Sequence, residues 1–224
     1  MNRRDIINEI LSKRGRIPPN SQGIDLFNDR ANRIEKAAAW FEKNAEKDSI
    51  CNTELIRYFP IALVSSIEGY FRFSIARLID KGTPFIERVP ELRGVNVNLD
   101  AVVAIQSRKI SFGEYISHFV SLSNLDEINH AMSTLLNIDF LDRLLSSQFD
   151  VFKPLPQINL DSDRGDFVVL IKELFRTRHI LCHEFAPDLL IDNEQMTKFN
   201  SIASIFVILS DVIIWAEETA GQAA

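Results

Sequence analysis

The chain has 224 residues, a formal net charge of −6, 46% hydrophobic and 25% charged residues. This is the composition of a globular protein and excludes a disordered or collagen-like chain. Eight glycines and eight prolines are few breakers for this length, which favours long helices over strands and turns. Two cysteines, Cys51 and Cys182, do not make a disulfide framework. The start, MNRRDIINEILSKR, carries no apolar run of signal-peptide length. The expected location is therefore the cytoplasm. Seven acids and one base, Lys198, lie between Glu184 and Ala224, and the rest of the chain balances at 24 acids and 24 bases. No broad basic surface follows, so any nucleic-acid contact has to be a local patch.

Taken in order, Arg4 to Arg14 suits a short helix, and Pro18, Pro19 and Gly23 mark a break. Asp25 to Lys47 reads as a long charged helix with Phe27, Ile34, Ala38 and Phe41 on one side. Pro60 fits the first turn of a helix ending near Asp80, before Gly82 and Pro84. Pro84 to Asn98 reads as irregular with one helical turn, and shorter helices are expected at Leu99–Lys109, Ser111–Leu122, Asn124–Asn137 and Ile138–Ser147. Ser111 and Glu114 match a capping box. Gln148 to Gly165 reads as loop, Asp166 to about Phe185 as a strong helix stopped by Pro187, and Asn193 to Ala220 as the last helix. Within the last helix, Ser201 to Trp215 is apolar but carries Asp211 and is short for a bilayer, so a central bundle helix is expected rather than a membrane contact. No segment alternates with period two. The reading is all-α, one domain over residues 1–224.

The helix from Asp166 breaks its own pattern. Phe167, Leu170, Ile171, Leu174 and Leu181 share a face at about 100° per residue, and Arg178 falls in the middle of it. Lys172, Arg176, His179 and His183 form a second stripe of potential cations. On the Pro60 helix, Glu68 sits in the apolar arc of Val64, Phe71 and Ile75, and Arg178 is the natural partner for it. Two bland readings stand beside a site: an interhelix ion pair, and a basic stripe that complements the helix dipole.

Arg178-His179-Ile180-Leu181-Cys182-His183 resembles the R-x4-H motif of HEPN domains, with a polar residue after the arginine. Ala62 to Asp80 resembles the acid-bearing helix of bacterial HEPN proteins related to abortive-infection and toxin families. The resemblance implies an up-and-down helical bundle, with residues 84–165 as extra helices inserted in the middle. It also implies a metal-independent endoribonuclease, active as a homodimer and in toxin or antiphage-defence systems, with an antitoxin or defence-system partner. Arg178 and His183 are then the catalytic pair, His179 the polar auxiliary and Glu68 the accompanying acid, with no cofactor. Histidine titrates near neutrality and arginine stays charged with a fork of donors, which suits base, acid and phosphate clamp. Lys172 and Arg176 would guide the RNA backbone. One difficulty is geometric: on one straight helix Arg178 and His183 stand about 140° apart. A long arginine side chain, a distorted helix end or two facing chains would resolve it.

Two other readings remain open. His179 and His183 are i, i+4 and could bind zinc with Glu184 or Cys182, yet the sequence is HILCHE rather than H-E-x-x-H, and Cys182 is expected to be buried. Alternatively, the chain is a non-catalytic HEPN module binding RNA, a nucleotide or a protein. His118 and His130 read as ordinary helix residues.

Overall fold

The computed structural model of the chain describes residues 3–14, 21–44, 54–95, 97, 99–107, 109–146, 164–184, 189 and 191–220. Among them there are nine α-helices, one 3-10 helix and no strand. In chain order the helices are α1 (Arg3–Arg14), α2 (Gly23–Asn44), α3 (Tyr58–Asp80), the 3-10 helix Ile86–Glu91, α4 (Leu99–Gln106), α5 (Phe112–Phe119), α6 (Leu125–Leu136), α7 (Phe140–Ser146), α8 (Arg164–His183) and α9 (Asn193–Ala220). Cys51, Pro187 and the expected loop between Gln148 and residue 163 lie outside the described residues.

Everything is arranged around α3. Pro60 sits in its first turn, where a missing N–H leaves no bond unmade. Leu63, Val64, Ile67, Phe71, Ile75 and Leu78 are fully buried, an apolar arc wide enough to meet several neighbours. The helix packs against α2, α5, α6, α8 and α9. It stops at Gly82, whose φ of 91° is open to glycine at little cost.

The apolar 28-residue α9 lies in the core against α2, α3, α7 and α8, as the sequence leads one to expect of a central bundle helix. It runs parallel to α3. Phe71 meets Phe206 with ring centres 5.3 Å apart, Tyr70 donates to Asp211 at 2.9 Å, and Glu218 pairs with Lys81 at 2.9 Å and Arg77 at 3.4 Å. Burial, and then Asp211, push the Tyr70 hydroxyl above its ordinary range, so it stays a donor. The antiparallel partners are α2, where Phe41 stacks edge-on to Phe59, and α8, where Phe167 approaches Phe206.

The middle section, expected as an insertion, shares the same apolar core. Phe85, Val89, Ala101, Tyr115, Ile128, Met132, Phe140 and Leu144 are continuous with Phe71 and Phe206. Its closest docking is α5 across α3. Ser111 caps α5 in a reciprocal capping box with Glu114, as its spacing from Glu114 suggests. Asp80, at the end of α3, accepts from the Ser111 hydroxyl at 2.5 Å and from the Gly113 N–H at 2.7 Å.

That docking requires glycine. A Cβ at Gly113 would overlap the Ala76 carbonyl oxygen and come within 2.8 Å of the Asp80 carboxyl. Backbone cannot yield as a flexible side chain can, so Gly113→Ala should destabilise by about 1–3 kcal/mol. At roughly 2–4 °C per kcal/mol for a chain of this size, thermal unfolding should show Tm lower by several degrees. An unchanged Tm would contradict the close approach of α5 to α3.

Candidate functional site

The α8 helix puts an apolar stripe on the core: Phe167, Ile171 and Leu174 are fully buried. Arg178 continues that stripe by one turn, as the sequence reading places it. Its Nη2 donates to Glu68 Oε1 on α3 at 3.0 Å. The pair anticipated from sequence is therefore formed, but not in a sealed core, because the two side chains keep 20% and 22% of their surface exposed. Burial pushes the Glu68 carboxyl up from its ordinary value, and Arg178 and Arg72 pull it back only in part.

Arg72 is the residue the sequence reading missed. It lies one turn beyond Glu68 on α3, and its Nη1 donates to the Ser117 carbonyl on α5. Burial lowers its guanidinium from the ordinary value, while Glu68 and Glu9 hold the charge in place. Glu9 of α1 in turn pairs with His118 Nε2 of α5 at 3.4 Å. A polar chain thus runs from Arg178 through Glu68, Arg72 and Glu9 to His118, crossing α8, α3, α1 and α5. The i, i+4 spacing of Glu68 and Arg72 was visible in the sequence; their partners on α5 and α1 were not.

The second stripe of α8 faces outward. Lys172, Arg176, His179 and His183 are all exposed. Lys172 reaches Asp126 of α6 at 3.1 Å, so part of its charge is matched. Arg176 has no ion-pair partner among the described residues. The rings of His179 and His183 stand 5.0 Å apart, tilted by 51°. Cys182 corrects an expectation: it is exposed, not buried. Gln195, near the start of α9, meets Glu173 at 3.1 Å, so the last turn of α8 overhangs the end of its neighbour and a core-facing angle there no longer means burial.

The helix is regular to its end, with the Glu184 N–H bonded to the Ile180 carbonyl at 2.9 Å. A distorted α8 end therefore does not swing His183 toward Arg178, and the arginine side chain is held by Glu68. Within one chain the structure brings Arg178 and Glu68 together, and His179 and His183 together, on different sides of α8. Among the described residues no three His, Cys, Asp or Glu side chains gather as a metal-binding group. Among the described residues His130 of α6 carries a buried Nε2 with no hydrogen-bond partner. The chain matches no family model, no curated protein and no solved structure.

The half-buried pair sets a stability expectation. Desolvation outweighs the two guanidiniums at Glu68, so the ionised carboxylate adds little net stability. Glu68→Gln should change stability near pH 7 by no more than roughly 1 kcal/mol, as for exposed pairs, rather than the roughly 3–5 kcal/mol of a buried one. A raised folded value means that the folded state holds the proton more tightly than the unfolded chain does. Its stabilising contribution is thus present below the unfolded value near 4.5 and is lost as pH rises through the folded value. Urea unfolding at a series of pH values should show wild type gaining on Glu68→Gln as pH falls from 7 toward 4.5. A gain in the opposite direction would show that the ion pair stabilises the fold.

Proposed function

We propose that the chain is an HEPN-type endoribonuclease that cleaves RNA through Arg178 and His183, with two chains completing one site. The observation that carries the reading is the division of α8 into two functional sides: a guanidinium anchored by Glu68 at 3.0 Å, and two exposed imidazoles 5.0 Å apart on adjoining turns. An anchored arginine loses little conformational freedom when it meets a phosphate, and its planar fork suits the non-bridging oxygens. Glu68 positions Arg178, and Arg72 acts through Glu68 from the other side.

In the proposed step, the His183 imidazole takes the proton from a ribose 2′-OH. The 2′-oxygen forms a bond to the adjacent phosphorus, and the bond from phosphorus to the 5′-oxygen breaks. A protonated imidazole from the other copy gives its proton to the departing 5′-oxygen. The products are a 2′,3′-cyclic phosphate and a 5′-hydroxyl. His179 assists as the polar neighbour, and Arg178 meets the negative charge that grows on the phosphorane. Lys172 and Arg176 line the approach for the RNA backbone. This chemistry needs base, acid and cation, and no metal.

A homodimer answers the angular problem. Arg178 and His183 point to different sides of α8, and a two-fold axis beside that helix sets the two copies' groups around one groove. The biological setting proposed with this activity is a cytoplasmic toxin or antiphage-defence effector, restrained by an antitoxin or another component of its system.

The test is RNA cleavage in EDTA by wild type, Arg178→Ala and His183→Ala. Wild type should cleave, and each variant should lose about 10²–10⁴-fold in rate, the usual scale for a positioned acid or base. His183 is exposed, so its variant should keep the wild-type Tm. Mixing the two dead variants should restore part of the activity, since each subunit of the heterodimer supplies the group its partner lacks and His179 of the His183→Ala copy stands in as the acid. RNA binding without cleavage would favour the non-catalytic module, and full activity in either variant would remove the assigned pair.

A further inference from the structure

His179 and His183 share a geometry that their proposed part in RNA cleavage does not require. They occupy successive turns on the outward side of α8, both exposed, with ring centres 5.0 Å apart. Neither imidazole has a hydrogen-bond or ion-pair partner among the described residues. Among the described residues nothing holds the rings away from a shared ligand.

The spacing suits a specific one. A histidine nitrogen bound at about 2.0–2.1 Å puts its ring centre about 3.2 Å from a metal ion. Two such rings at ligand angles of about 90–110° have centres about 4.5–5.2 Å apart. The ring-centre separation of 5.0 Å found in α8 lies inside that range. Imidazole favours late first-row divalent ions over magnesium or calcium. With only two protein ligands, water would fill the remaining positions, so affinity is modest and binding reversible.

We propose that His179 and His183 form a two-ligand chelating site for a late first-row divalent cation such as Ni²⁺, Cu²⁺ or Zn²⁺, and that its occupancy silences the ribonuclease site. The second clause rests on the reading above. A ring nitrogen whose lone pair is given to a metal cannot accept the 2′-OH proton, so a filled site has no base at His183. The metal is thus an inhibitor at this site, not a cofactor.

The experiment is calorimetric titration of the untagged full chain with Ni²⁺ in the absence of RNA. Wild type should bind one equivalent. His179→Gln and His183→Gln should each weaken binding at least about tenfold, because the second imidazole then no longer adds intramolecularly. The double variant should lose the site, while Cys182→Ser should retain it. Circular dichroism of the variants should match wild type, since both side chains are exposed. Undiminished binding by the double variant, or no uptake by wild type up to millimolar Ni²⁺, would overturn the site. A chain that binds Ni²⁺ there yet cleaves no RNA would keep the chelate and lose the ribonuclease reading. Cleavage that continues unslowed with the site saturated would overturn the silencing.

Discussion

A guanidinium on the core-facing stripe of a helix has to be answered by an anion on the helix opposite, and this requirement organises the C-terminal half of α8. Arg178 follows Phe167, Ile171 and Leu174 along one line, and Glu68 meets it from α3 at 3.0 Å. The same carboxylate faces Arg72, which is tied to the α5 backbone and lies near Glu9 of α1. Moving any one of these groups changes what the others face. The pair is therefore better understood as an orienting device than as a source of stability, because burial of Glu68 costs more than its two cations return.

The fold supplies the rigidity behind that device. The α3 helix is enclosed by α2, α5, α6, α8 and α9, and its apolar arc runs from Leu63 to Ile79. The close crossing at Gly113 fixes α5 against the last turns of α3, with Asp80 holding the capping residues of α5. Ser117, the acceptor for Arg72, lies four residues beyond that crossing. Packing at Gly113 is thereby linked to the setting of Arg72, then of Glu68, and finally of Arg178.

Much of this was legible in the sequence where the signal is local. Helix periodicity marked α3, α8 and α9, and the capping pair Ser111 and Glu114 marked the start of α5. Arg178 and Glu68 each stood out because each interrupts an apolar arc. Features that depend on which helix lies opposite were not legible. Arg72 draws its partners from residues 45 positions later and more than 60 earlier, and no helical spacing encodes such contacts. The exposure of Cys182 depends on where α9 begins relative to the end of α8, a length mismatch invisible to a helical wheel. In the middle section α5 and α6 each carry an apolar side, but nothing in that local pattern says which helix the side will meet.

In the proposed reaction the anchored Arg178 and the exposed His183 of α8 carry out transesterification on RNA. The chemical ends of the products report on it most directly. RNA fragments produced in EDTA should carry 2′,3′-cyclic phosphate and 5′-hydroxyl ends, as read by mass spectrometry, and these ends should disappear with His183→Ala. Fragments ending in 3′-hydroxyl and 5′-phosphate would contradict it, because water and not the 2′-oxygen would then have been the nucleophile.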